Sequence, residues 1–175
     1  SSGTELFVFC SGLASALAFG SIFVRQGFGL GTARIAHRIW QVYWAQLGVV
    51  MAVIGLMIAA GLVWPDRGLD LDPLPQLLAD PATAILGLVT LRWLPPYLDI
   101  LPMYLVILAF IPVAMGLAAI HRLLPLAAAF ALHAVVWLTG INLVGYPWTG
   151  AGWFFNPLAW QLVFFTGFAI GMGWL

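Results

Sequence analysis

Four polar side chains at the start of an apolar segment have the spacing of one helix face. Arg34, His37, Arg38 and Gln41 follow one another at intervals of three and four residues. Guanidinium groups bind phosphates and carboxylates through paired hydrogen bonds, so Arg34 and Arg38 are candidates to hold the phosphates of a nucleotide-bearing donor. The alternative, which is the commoner arrangement, is a snorkelling basic cluster that contacts anionic lipid.

Further polar and aromatic residues lie near the ends of apolar segments, and each also has a structural explanation. Polar groups at membrane depth are costly, which makes them functional candidates by default. Asp99 and Asn156 also suit helix caps, and Gln161 suits a hydrogen bond to another helix. The candidates are Glu5, Tyr97, Asp99, Trp153, Asn156, Trp160 and Gln161.

Motifs with a defined chemistry are missing from the sequence. It has no Gly-rich phosphate loop, no paired Cys or His pattern and no Gly-x-Ser-x-Gly elbow, so we predict neither a metal site nor a bound cofactor. His133 lies within an apolar segment, where packing is the expected role and a proton relay the alternative. The single cysteine, Cys10, is expected to be a buried, inert thiol.

The composition is that of a membrane protein. Of the 175 residues, 63% are hydrophobic and only 7% are charged, whereas about 25% are charged in soluble domains. The mean hydropathy is +1.06 and the formal net charge is zero. So few polar groups cannot cover a soluble surface, and a neutral chain is a poor match to nucleic acid. We therefore predict an all-α membrane protein with no nucleic-acid partner.

Long apolar stretches predict about five transmembrane helices in a single domain over residues 1–175. A span needs about 20 apolar residues. The predicted spans are residues 5–24, 40–63, 100–119, 124–143 and 157–175. Small residues recur every four positions, at Gly12, Ala16 and Gly20 and again at Gly167 and Gly171, which predicts close approach of neighbouring helices.

The connections predict an orientation and one more helix. The connections 25–38 and 121–122 hold four of the six arginines, so the positive-inside rule places both in the cytoplasm and the other two connections outside. Asp80 and Pro81 have the pattern of an N-cap and a first helical residue. They predict one short interfacial or outer helix, which continues over residues 82–94.

Several blocks of the sequence resemble the OpgC-type membrane proteins. The blocks occur in that family's order and cover nearly the whole chain. The most specific is Gly152-Trp-Phe-Phe-Asn-Pro-Leu-Ala-Trp-Gln161. The others are Glu5-Leu-Phe-Val-Phe-Cys-Ser-Gly12 with Ala18-Phe-Gly20, Arg34 to Arg38 leading into Trp40-Gln-Val-Tyr-Trp44, and Tyr97-Leu-Asp-Ile-Leu-Pro-Met-Tyr104.

The resemblance implies an integral acyltransferase of the bacterial inner membrane, one that adds succinyl groups to osmoregulated periplasmic glucans. Succinyl-CoA or a similar acyl-CoA would be the donor substrate. The partners would be the bilayer, the glucan acceptor and other membrane proteins of glucan synthesis. Arg34 and Arg38 would then lie on the donor side, and the candidates from Glu5 to Gln161 would serve the acceptor side or the structure. A transporter or flippase half and a non-catalytic scaffold subunit remain the alternatives.

Two departures limit what the resemblance implies about catalysis. The wider acyltransferase group relies on a histidine in an Arg-led first helix, which would precede Ser1. None of His37, His121 and His133 matches that position, so the catalytic residue stays unassigned. Gln46 stands where relatives commonly have a histidine. Because the chain lacks an initiator Met and ends inside an apolar stretch, we expect it to be a fragment of a longer protein.

Overall fold

The computed structural model describes residues 2–65, 74–94 and 98–175, which form helices joined by short connections. The helices are α1 (Ser2–Ser15), a π-helical turn (Ala16–Gly20), α2 (Ser21–Gln26), α3 (Phe28–Val63), α4 (Leu74–Ala79), α5 (Pro81–Val89), α6 (Ile100–Ile120), α7 (Leu124–Thr139) and α8 (Pro157–Gly171). The residues in these ranges form no strand, although one antiparallel bridge pairs Val144 with Gly152. The candidate Tyr97 lies outside the described residues.

Three helical segments are long and apolar enough to cross a membrane. They are Gly3–Gln26, Phe28–Val63 and Ile100–Ile120, of 24, 36 and 21 residues. Two shorter apolar helices, Leu124–Thr139 and Pro157–Gly171, have 16 and 15 residues. Helices suit such apolar sequences because they pair the backbone polar groups within the segment, which hydrocarbon requires. The prediction of an all-α membrane protein is therefore confirmed.

The long helix α3 begins at Phe28 and not at residue 40. The predicted connection over residues 25–38 is thereby reduced to Gly27, whose φ is +93°. Glycine adopts this conformation without the steric cost that a Cβ imposes. Because the following residues include no proline, nothing in the chain prevents the helix from continuing. Arg25 therefore lies on α2, and Arg34 and Arg38 lie on α3, as their helical spacing with His37 and Gln41 predicts.

The last two helices end before their predicted limits of 143 and 175. α7 ends at Thr139 because Gly140 adopts a left-handed conformation with φ of +69°. α8 ends at Gly171, and Gly173 also has φ of +69°. Apolar residues continue beyond both glycines, so each helix is shorter than the apolar stretch that predicted the span.

The chain folds into two compact units, each assembled from segments that are distant in sequence. The first unit contains Ser1–Trp40, Met103–Asn142 and Asn156–Leu175. The second unit contains Gln41–Pro102 and Leu143–Phe155.

In the first unit α1 packs on α8 through glycines on both helices. A Cβ at Gly12 would overlap the backbone carbonyl of Phe164, and a Cβ at Gly167 would overlap that of Phe9. Gly171 likewise lies against the side chain of Ala16. The backbones therefore approach closely enough for dispersion and Cα–H···O interactions. This confirms the prediction that the small residues mark faces where neighbouring helices approach closely.

Cys10 is exposed and not buried, contrary to prediction. The residues of α1 and of the following π-helical turn that meet α8 include Phe9, Gly12, Leu13 and Ala16, which recur at intervals of three and four. Cys10 falls outside this stripe. It therefore lies on a face of α1 that no other described part of the chain buries.

The second unit has its own apolar core, built from α3, α4, α5 and the residues after α5. The buried members are Val50, Ile54, Leu74, Ala84, Leu88 and Trp93. α5 begins as predicted, since the Asp80 carboxylate accepts a hydrogen bond from the Thr83 backbone N–H at 3.2 Å and Pro81 is its first residue.

A Schellman motif ends α5. The Arg92 N–H donates to the Gly87 carbonyl at 2.7 Å, and the Leu91 N–H donates to the Leu88 carbonyl at 3.1 Å. Leu91 occupies the left-handed position with φ of +58°, where glycine is usual. The turn directs the chain back so that Trp93 is fully buried.

Candidate functional site

The basic candidates lie on the amino-terminal part of α3. Arg34 and Arg38 are exposed, whereas Ile35 is only 1% exposed. His37 and Gln41 are exposed on the same helix and each makes a further interaction. This part of α3 is therefore amphipathic, and its guanidinium groups are accessible to a ligand or to lipid headgroups.

The first unit carries a marked excess of positive charge. Its sequence contains Arg25, Arg34, Arg38 and Arg122, all exposed, but only one acidic residue, Glu5. Glu5 lies in the first turn of α1 and is exposed. Because one carboxylate cannot neutralise four guanidinium groups, this unit favours anions.

Asp99 lies in the second unit, immediately before α6, and is half-buried. Its burial raises the pKa of the carboxyl above the ordinary value, while hydrogen bonds from the backbone N–H groups of Asp99 and Phe155 oppose that rise. The carboxyl is thus held in place by the connection between α7 and α8. Its remaining acceptor capacity could bind a hydroxyl group.

Gln46 is a buried polar residue of the second unit. Its side chain is 0% exposed, and Nε2 donates to the carbonyl of Leu98, the residue before Asp99, at 2.7 Å. Its Oε1 atom has no hydrogen-bond partner among the described residues. The sequence singled out Gln46 only as a departure from relatives, although a glutamine inside an apolar stretch is itself a signal of a specific contact.

The connection from Leu143 to Phe155 forms a small hairpin in the second unit. The Gly145 N–H donates to the Ala151 carbonyl at 2.8 Å, and the Trp153 N–H donates to the Leu143 carbonyl at 3.1 Å. The half-buried indole of Trp153 packs so closely on Gly145 that a Cβ there would lie 2.8 Å from its ring. The position of Trp153 is therefore fixed by backbone hydrogen bonds and by contact with a glycine.

Two of the candidates in the first unit have structural hydrogen bonds. Asn156 caps α8, with Oδ1 accepting from the Leu158 N–H at 3.0 Å and Nδ2 donating to the Ile141 carbonyl at 2.8 Å. The buried Gln161 donates from Nε2 to the Ala129 carbonyl at 2.7 Å. These bonds favour the structural explanation for both residues.

His133 and His121 occupy different settings. His133 Nδ1 lies 3.0 Å from the Ala159 carbonyl, which links α7 to α8 and matches the expected packing role. His121 is exposed, and its Nδ1 accepts from the Leu123 N–H at 3.2 Å. No group of three metal-ligating side chains occurs among the described residues.

The candidates are thus divided between the units. The second unit holds Asp99 and Trp153, and the first holds Glu5, Arg34, Arg38, Asn156, Trp160 and Gln161. Trp160 is half-buried on α8 and makes a further interaction.

The long apolar helices and the glycine-mediated packing define an α-helical membrane protein. A family model described as OpgC protein matches residues 1–175, the entire chain, so the chain belongs to the OpgC family. Neither a curated protein nor a solved structure gives a match.

Proposed function

We propose that the protein is part of an integral membrane acyltransferase that transfers succinyl groups to periplasmic glucans at the bacterial inner membrane. Membership of the OpgC family along the whole chain carries this proposal and supports a role in glucan modification. The donor would be a cytoplasmic thioester, succinyl-CoA or a similar acyl-CoA. Other membrane proteins of glucan synthesis would be partners.

The reaction is an acyl transfer from sulfur to oxygen. A glucan hydroxyl oxygen attacks the thioester carbonyl carbon while a general base removes the hydroxyl proton. The C–S bond then breaks, the coenzyme thiol leaves with a proton, and an ester forms. The product is a succinyl half-ester, whose free carboxylate gives the glucan negative charge.

The basic face of α3 supports a donor-binding role for Arg34 and Arg38. Both guanidinium groups are exposed, and the first unit has only Glu5 to offset its four arginines. Guanidinium groups bind phosphates through paired hydrogen bonds, so the phosphates of coenzyme A are suitable ligands.

Asp99 and Trp153 support an acceptor-binding role in the second unit. The Asp99 carboxyl is held by backbone N–H groups and retains lone pairs for glucan hydroxyls. The flat, half-buried indole of Trp153 would contact the apolar face of a sugar ring.

Expression of the complete reading frame in a strain that lacks glucan succinylation tests the activity. Mass spectrometry and anion exchange of the periplasmic glucans should show added succinyl mass and negative charge. Glucans that stay neutral despite good membrane expression would refute the proposed transfer.

The donor assignment is tested with the double variant Arg34→Gln, Arg38→Gln. It should raise the KM for the acyl-CoA donor, because two phosphate contacts are lost, and leave the KM for glucan unchanged. Arg122→Gln is the matched control, since Arg122 is also an exposed arginine of the first unit. Equal donor KM values in the double variant, the control and the wild type would remove the donor role.

A further inference from the structure

The tip of the hairpin between α7 and α8 presents aromatic side chains on a rigid support. Besides the bonds at Gly145 and Trp153, the Gly150 N–H donates to the Tyr146 carbonyl at 2.8 Å, and Gly150 adopts φ of +66°. The connection contains no charged residue. Tyr146 and Trp148 therefore leave the backbone from fixed positions in an uncharged turn.

The indole of Trp148 is fixed by two neighbouring rings. Its centroid lies 5.6 Å from that of Trp93 and 5.7 Å from that of Tyr146, both in edge-to-face geometry. Trp148 is 37% exposed, whereas Trp137, which lies on an outer face of α7, is 81% exposed. Trp148 is thus held in position and still offers part of its ring to a ligand.

A carboxylate lies beside this ring. Asp80 accepts a hydrogen bond from the Thr83 N–H at 3.2 Å, and its pKa is lowered chiefly by Thr83 and to the smallest extent by the adjacent Trp148 side chain. A carboxylate oxygen accepts more than one hydrogen bond, so Asp80 keeps capacity for a ligand hydroxyl. The site therefore combines an aromatic surface with an ionised acceptor.

The ring of Trp93, which packs on that of Trp148, carries an unsatisfied donor. Trp93 is 0% exposed, and its Nε1 atom has no hydrogen-bond partner among the described residues. A buried donor without an acceptor is unfavourable, so an arrangement that supplies an acceptor is favoured.

We propose that Trp148, Tyr146 and Asp80 form a binding subsite for a neutral hexose unit of the acceptor glucan. This subsite rests on the proposed function and adds to it a place where the glucan binds. The ring carbons of a hexose suit the aromatic surface, and its hydroxyls suit the carboxylate.

A contact with lipid headgroups fits these observations less well. An aromatic residue that anchors a protein in the interface gains from exposure, and Trp148 is packed against two rings. An ionised Asp80 beside it would repel anionic headgroups.

The first experiment measures acyl transfer by the full-length protein with the glucan concentration varied. Trp148→Ala should raise the KM for glucan about tenfold, the loss expected for one aromatic contact, while kcat and the donor KM stay unchanged. Trp148→Phe should retain most of the glucan affinity because it keeps an aromatic ring. Asp80→Asn keeps the helix cap and should raise only the glucan KM. Trp137→Ala is the matched control and should leave all parameters unchanged.

The second experiment separates this subsite from the proposed function. Neutral glucan is added to wild-type protein and to Trp148→Phe in vesicles that contain brominated lipid, and the tryptophan fluorescence is compared. The part of the signal due to Trp148 should change with glucan and resist quenching by the lipid. Quenching by lipid without any response to glucan would identify a membrane anchor and overturn the subsite.

The outcomes are distinguishable. Normal transfer by the wild type together with an unchanged glucan KM in Trp148→Ala would overturn the subsite alone. Failure of transfer in the wild type would overturn the proposed function, and the fluorescence response to glucan would still decide whether the subsite binds sugar.

Discussion

Replacing Gly167 by alanine should weaken the contact between α1 and α8. The added Cβ would overlap the Phe9 carbonyl oxygen and would lie 3.1 Å from its carbonyl carbon and 3.2 Å from the Leu13 nitrogen. All three atoms belong to the backbone, so no side chain can rotate away and one helix must move. Such overpacking costs about 1–3 kcal/mol, against which alanine recovers about 0.8–1.0 kcal/mol of helix propensity. We expect a net loss of up to about 2 kcal/mol.

The matched control is Gly55→Ala in α3. Gly55 is also an interior helical glycine, but a Cβ there meets nothing within 4 Å, so only the gain in helix propensity remains. Thermal unfolding of both variants in one detergent provides the comparison. Both variants gain the same helix propensity, so the overpacking cost of about 1–3 kcal/mol should place the Tm of Gly167→Ala about 2–12 °C below that of Gly55→Ala. A Tm for Gly167→Ala equal to or above that of Gly55→Ala would refute the close-packing argument.

The other predictions concern the second unit. Asp99→Asn should be more stable than the wild type at neutral pH. Burial raises the folded-state pKa of Asp99. Its contribution to the free energy of unfolding is therefore complete below the ordinary carboxyl pKa and is lost as the pH rises through the raised value. Unfolding curves measured across that pH range test this loss. Hydrogen bonds from Thr83 lower the pKa of Asp80, so the stability that Asp80 contributes is lost as the pH falls through that lowered pKa. Asp80→Asn should remove this loss of stability at low pH. Leu91→Gly should raise stability by about 1 kcal/mol by relieving a left-handed leucine, and an unchanged Tm would contradict this.

The small-residue pattern and the start of α5 could be predicted because each depends on local chemistry. The spacing of Gly12 and Gly167 identifies faces that allow backbone contact, and the structure pairs these two faces. Asp80 before Pro81 identifies an N-cap, and the side-chain hydrogen bond is present. Neither inference required knowledge of distant parts of the chain.

The limits of α3 and the roles of the polar residues depended on information that hydropathy lacks. The arginines after Gly27 lower the local hydropathy, so a hydropathy profile does not show that α3 begins at Phe28. Whether a helix continues depends on backbone geometry and not on polarity. The partners of Gln46 and Gln161 are carbonyl groups that lie far away in sequence, which the sequence could not pair with them. For the same reason, the contact of Trp148 with Asp80 could not be predicted.

The 36 residues of α3 bear on how the protein responds to bilayer thickness. At about 1.5 Å per residue α3 is about 54 Å long, whereas a hydrocarbon core is about 30 Å thick. α3 therefore has length in reserve, and a thicker or thinner bilayer only changes which part of it lies in hydrocarbon. The 21 residues of α6 span about 32 Å and match the core closely, so the same change leaves α6 with hydrophobic mismatch. By length, α6 would therefore be more sensitive than α3 to a change in lipid chain length.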